Sequence, residues 1–101
     1  MDYIRIDGEA ELRSYLQDFA ESRRYIMAVD IEAESNLHAY GEKLCLIQVF
    51  DGVNQVIIDP LEMDADAPRA LFEDRAILKV MYDASSDLSL LKNTSGMEIK
   101  S

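Results

Sequence analysis

Apolar positions in this chain recur with two different periods, and the switches between them mark out its elements. Tyr3-Ile-Arg-Ile6 reads as a short strand, and Asp7-Gly8 offers a turn in which Asp7 is available to cap a helix. From Glu9 to about Arg23, Leu12, Tyr15, Leu16, Phe19 and Ala20 return at helical spacing and give one apolar face. Glu9 and Glu11 fall in the first turn and Arg23 and Arg24 at the far end, the arrangement that suits a helix dipole. Tyr25-Ile-Met-Ala-Val-Asp-Ile-Glu32 comes next as a strand. Ala33 to Lys43 is polar and reads as a loop overhanging the end of that strand.

Leu44 to Phe50 is a nearly continuous apolar run, Asp51-Gly52 makes a hairpin turn, and Val53 to Asp59 supplies the returning strand. Three antiparallel strands therefore succeed one another. Asp59 before Pro60 reads as a turn residue that ends the third. Asp64 to Phe72 looks like a short helix with Pro68 in or near its first turn, and Ala76 to Tyr82 is the next strand. Ser85 or Ser86 can cap a last helix that buries Leu88, Leu90 and Leu91. The pattern predicts an α/β fold, a mixed sheet with three meandering antiparallel strands and flanking helices. Met97 to Ser101 reads as the approach to a further element, and such a sheet leaves one face to be covered. Residues 1–101 are thus expected to form the front, N-terminal part of a larger domain, with a homo-oligomer that covers the face as the alternative.

Length and charge narrow the setting. With 101 residues, 49% of them hydrophobic, the chain makes one small domain with one core. Twenty acidic against 10 basic residues give a net charge of −10 and a pI near 4.3. That field repels a polyanion unless metal ions or a basic patch intervene, and the lysines and arginines form no evident basic stripe. No apolar run reaches membrane-spanning length, and the N-terminus is too acidic for a signal peptide, so no membrane partner is expected. Cys45 is the single cysteine, which excludes an internal disulfide and makes a reducing, cytoplasmic compartment the simplest location.

The candidate chemistry lies on the second strand. Side chains alternate faces along a strand, so Asp30 and Glu32 point the same way. Two like charges held side by side repel, and a divalent cation or a shared proton offsets the repulsion. A metal site is the functional reading of that pair, and a solvated strand end is the bland one. His38 and Tyr40 belong to the polar loop, where a histidine is more often solvated and a tyrosine is more often an anchor, though stacking on a terminal base is open to it. Gln48 reads as a strand residue satisfying a local hydrogen bond, and Cys45 as a small buried apolar side chain.

The stretches AVDIEAES (Ala28 to Ser35), LCLIQVFDG (Leu44 to Gly52), VIIDPL (Val56 to Leu61) and KVMYDASSDLSLL (Lys79 to Leu91) stand in an order that resembles the ribonuclease D branch of the 3′–5′ exonucleases. The resemblance runs over most of the chain. It implies a ribonuclease H-like fold, a nucleic-acid 3′ end (RNA or single-stranded DNA) as substrate, and two divalent cations, magnesium or manganese. The family's Asp-x-Glu motif falls on Asp30 and Glu32, and its Asp-Leu pair on Asp87-Leu88. Asp30, Glu32 and Asp87 are therefore the implied catalytic and metal-holding residues, with Asp30 bridging both ions and Glu32 on the ion that activates water. Ala33, Glu34 and Tyr82 are the implied substrate contacts. Tyr82 stands where many relatives have a His, and the family's last motif, a Tyr or His followed by a fourth Asp, is expected beyond Ser101. The chemistry agrees, since two cations ~3.5–4 Å apart can activate water and stabilise both the transition state and the leaving oxygen of a phosphodiester. A competing expectation is a non-catalytic acidic module that dimerises or binds a protein partner through the exposed sheet.

Overall fold

The computed structural model describes residues 3–35, 42–81 and 100, and for 33–35 and 42–45 the backbone alone. The elements in chain order are β1 (Tyr3–Ile6), α1 (Glu9–Glu21), β2 (Ile26–Ser35), β3 (Glu42–Phe50), β4 (Gln55–Ile58), a 3-10 turn (Pro60–Glu62), α2 (Arg69–Phe72) and β5 (Leu78–Val80). Five strands form one sheet in the order β1-β4-β3-β2-β5. The β2–β3–β4 meander is antiparallel throughout, while β1 lies parallel to β4 and β5 parallel to β2. This is the mixed sheet that the alternation of strand and helix signals predicts.

The faces of the sheet are chemically unlike because strand side chains alternate. Met27, Val29 and Ile31 of β2 point to one face together with Ile47 and Val49 of β3, Val56 and Ile58 of β4, and Ile6 of β1. Leu12 and Phe19 of α1 and Leu71 and Phe72 of α2 close over them, so both helices serve the same face and all these residues make one core. The opposite face carries Tyr3, Ile26, Phe50, Leu78 and Val80, each more than two-fifths exposed. Among the described residues nothing covers it.

One buried carboxylate ties the helix to the hairpin. Asp51, 2% exposed at the end of β3, accepts hydrogen bonds from the Val53 and Asn54 N–H groups (2.9 and 2.7 Å) and from the Tyr15 hydroxyl of α1 (2.7 Å). Arg24 donates to the same side chain and to the Asp51 carbonyl, both at 3.2 Å, and lies 5.6 Å over the Phe19 ring. Burial on its own pushes the Asp51 carboxyl up. The Asn54 and Val53 amides, the Tyr15 hydroxyl and the Arg24 charge together outweigh it and hold the group below the usual carboxylate range. Burial and then the bond to Asp51 raise the Tyr15 hydroxyl. A second buried charge, Lys79 on β5, donates to the Asp74 and Lys100 carbonyls, and desolvation lowers its pKa, with Asp74 opposing.

Several boundaries differ from the sequence expectation for local reasons. Helix α1 ends at Glu21 because Arg23 takes a left-handed conformation, φ 65°, so Arg23 and Arg24 lie past the helix and Arg24 serves Asp51 instead of the helix dipole. Gly8 occupies the N-cap without a side-chain bond, and Asp7 accepts from Arg5 Nε at 2.8 Å. Much of the expected polar loop is strand: pairing of Ala33 with Leu44, Glu34 with Lys43 and Ser35 with Glu42 extends the ladder past its apolar part. The hairpin turn takes four residues, Asp51 to Asn54, with Gly52 at φ 99° and the Asp51 N–H bonded to the Asn54 carbonyl, so β4 begins only at Gln55. Asp59 caps the 3-10 turn by accepting from the Leu61 N–H at 3.0 Å, as its place before Pro60 suggests. Turns hydrogen-bonded at Asp64 and Asp66 shorten α2 to Arg69–Phe72, and Asp74 capping the Ala76 N–H delays β5 to Leu78. The expected helix after Ser85 lies outside the described residues.

Asp51→Ala leaves its donors unpaired in a buried site and is expected to cost about 3 kcal/mol in urea unfolding, with Tyr15→Phe costing ~1 kcal/mol. Because the folded-state pKa of Asp51 is depressed, its contribution is fully present above the ordinary aspartate value of ~3.9 and is lost as pH falls through the folded value. Asp51→Asn should therefore flatten the acid limb of a stability–pH curve measured between pH ~2 and ~6.

Candidate active site

Asp30 and Glu32 stand on β2, which has a neighbour on each side, β3 and β5. Val29 and Ile31 are fixed in the core between and beside them, so the two carboxylates are held on the opposite, open face, both exposed. Their Cα atoms lie ~6.5–7 Å apart, two residues of strand rise. Asp30 is paired in register with Gln48 and Glu32 with Leu46, and the ladder shifts register immediately beyond Glu32. Such a bulge bends the strand and strengthens its twist. It falls at the site, between Glu32 and Ala33.

The neighbourhood of Asp30 is a groove of about 530 Å³, bordered by Ala28, Gln48, Phe50, Gln55 and Val80 on the open face. Its walls are mostly apolar, and Gln48 sits directly across from Asp30. From sequence Gln48 reads only as a strand residue; the pairing of β2 with β3, set by residues on both sides of a connection the pattern cannot measure, is what brings it to Asp30. The buried Lys79 of β5 is aligned with Met27 and faces the core, so its charge is turned away from the carboxylates.

The donor set suits a hard cation. Carboxylate oxygens are the ligands that hard divalent cations take. No group of three or more acidic, His or Cys residues converges among the described residues. Asp87 and Tyr82, as well as His38 and Tyr40, lie outside the described residues. Ala33 and Glu34 continue the β2 backbone past the bulge.

The chain belongs to the 3′–5′ exonuclease family, whose model matches residues 3–101. It is 36% identical to ribonuclease D of Cronobacter turicensis over 84 residues, 81% of this chain and 23% of that protein. It is 32% identical to ribonuclease D of Escherichia coli over 98 residues, 95% of this chain and 25% of that one. The chain thus spans about a quarter of the length of the curated relatives it matches. In structure it is similar to E. coli RNase D, with a TM-score of 0.79 and 30% identity over 98% of this chain and 26% of that chain. The fold is shared by Trypanosoma brucei RNase D in complex with RNA U12, at TM-score 0.74 and 22% identity, over 97% of this chain and 35% of that one. The ribonuclease H-like exonuclease fold implied by the four sequence stretches is therefore the fold observed, and family membership disfavours the reading as a non-catalytic acidic module.

An exposed carboxylate with a like-charged neighbour contributes little to folding. Asp30→Asn is expected to change the unfolding free energy by no more than ~0.5 kcal/mol in a urea titration without added metal.

Proposed function

We propose that the protein carrying this chain removes nucleotides from the 3′ end of RNA, with Asp30 and Glu32, joined by Asp87, holding two divalent cations. The observation that supports this most is the placing of Asp30 and Glu32 side by side on the open face of a central strand, in a chain of the 3′–5′ exonuclease family. RNA is favoured over DNA because the relatives it matches at 30% identity or more are ribonucleases D, one of them described as an exoribonuclease involved in structured RNA processing.

When bound, two such cations supply a nucleophilic hydroxide and charge stabilisation for the leaving oxygen. The chain's own part is placement. Val29 and Ile31, locked in the core, fix the stretch of backbone from which Asp30 and Glu32 project on one face before any ligand arrives. In this reading Asp30, the more central of the two along the strand, and Glu32 would both hold the cations, which would supply the activated water. Ala33, Glu34 and Tyr82 are the residues the family's pattern assigns to the terminal nucleotide, and Ala33 and Glu34 follow directly on the register shift after Glu32. The acidic net charge is no obstacle there, since the cations stand between the carboxylates and the phosphate.

The test uses the full-length protein and a 20-nucleotide RNA labelled at its 5′ end. A descending ladder of products is expected in Mg2+ or Mn2+ and none in EDTA, and Asp30→Asn should lower the rate at least ~100-fold. The corresponding DNA should be degraded more slowly. Metal-independent cleavage, or an Asp30→Asn protein of undiminished rate, would refute the assignment.

A further inference from the structure

Among the described residues strand β1 is an edge of the sheet and pairs only with β4. The Asp59 N–H donates to the Ile6 carbonyl at 2.9 Å, so the Ile6 main chain faces β4. Main-chain groups alternate sides along a strand, so the Arg5 N–H and C=O point outward, away from the sheet. Tyr3-Ile-Arg-Ile6 contains no proline or bulge to blunt that edge; at four residues it is short, and Arg5 is its one charge.

Beside this edge runs a second groove, of about 460 Å³, between β1 and α1. Ile4, Ile6 and Ala10 contribute apolar surface, with Ile4 41% exposed. Glu11, Ser14 and Asp18 form its helical side, at the i, i+3, i+7 spacing that keeps them on one stripe. Among the described residues the carboxylates of Glu11 and Asp18 have neither an ion-pair nor a hydrogen-bond partner, whereas Glu9 on the same helix pairs with Arg13 and Glu21 accepts from Gln17. The one cation of the groove, Arg5, is already engaged with Asp7 at 2.8 Å and Asp59 at 3.2 Å.

We propose that this edge and groove take an extended, lysine- or arginine-bearing segment of another polypeptide, which adds a strand alongside β1. The main-chain ladder at Arg5 supplies affinity, and the groove supplies selectivity. A Lys or Arg side chain suits a groove with apolar floor and acidic wall, since its stem covers Ile4 and Ala10 while its head reaches a carboxylate. Glu11 and Asp18 are seven residues apart, ~10.5 Å along the helix, and basic residues two apart in an added strand stand ~7 Å apart, a difference that flexible stems span. Charge decides among occupants. A second copy of this chain brings a net charge of −10 against its own acidic groove, and a nucleic acid brings phosphates against two carboxylates. A basic strand meets neither cost.

The probe is the peptide acetyl-KVKVKVK-amide, titrated into the full-length protein and followed by amide chemical shifts and hydrogen exchange. Saturable shifts are expected on β1 and α1, with exchange at the Arg5 N–H slowed at least tenfold. The charge reversals Glu11→Lys and Asp18→Lys together should weaken binding at least tenfold, and Arg5→Pro, which removes the outward donor along with the guanidinium, should abolish it, whereas Arg5→Ala, which removes the guanidinium alone, should not. A peptide of equal charge with proline for each valine separates strand addition from general attraction to an acidic protein, and it should not slow the Arg5 amide. Equal binding of the proline peptide, shifts confined to the Asp30 face, indifference to the charge reversals, or no binding at all would each overturn the proposal. A dimer in sedimentation at the same concentration, dissolved by Arg5→Pro, would replace the basic partner by a second copy and overturn it as well.

Discussion

The period of two along β2 is the constraint on which the site and the core both depend. Met27, Val29 and Ile31 are buried, and the residues between and after them, Ala28, Asp30 and Glu32, are exposed on the other face. A slip of one residue against β3 or β5 would exchange the two sets, placing two carboxylates in the core and three apolar side chains in water. Burying even one unpaired carboxylate costs several kcal/mol, so the register that builds the core is also the register that presents the acidic pair. Stability and candidate chemistry are thus specified by a single alternation, and neither can drift without the other.

Keeping that sheet in its place falls to the connections. Asp51 gathers the loop amides of the β3–β4 hairpin, the Tyr15 hydroxyl of α1 and the Arg24 guanidinium that precedes β2, three segments distant in sequence. A carboxylate can be buried here because its lone pairs meet donors, which a hydrophobic side chain of the same size would leave unpaired. Lys79 plays a comparable part at the other edge, its ammonium bonded to carbonyls at Asp74 and Lys100. The fold therefore places two charges in its interior and satisfies them largely with backbone, while the two carboxylates of the candidate site stay exposed.

Much of this was legible in the sequence. The helical recurrence of Leu12, Tyr15, Leu16 and Phe19, the apolar runs of β2 and β3, and the Asp-Gly turn gave the order of elements and the antiparallel meander. The same-face relation of Asp30 and Glu32 needed nothing beyond strand geometry. What local pattern could not carry was anything decided by a partner far along the chain. Polar residues 33–35 and 42–43 read as loop because their strand character comes from each other, through the ladder, and not from their side chains. Asp51 reads as an ordinary turn residue because Tyr15 and Arg24 are 36 and 27 positions away. The burial of Lys79 escapes the local pattern for the same reason, its acceptors being main-chain oxygens that no sequence motif announces.

The place of β1 in the sheet fixes an order of assembly. Tyr3 aligns with Gln55 and Ile6 with Ile58, across a gap that contains α1, β2 and β3, whereas β3 and β4 are joined by a four-residue turn. Closing the longer span loses more chain entropy before it gains any contact, and no surface exists for β1 to pair with until the hairpin has formed. Strand β1 is accordingly among the last to dock, and the outward main chain of Arg5 is presented as a geometric template only by molecules that have completed the rest of the fold.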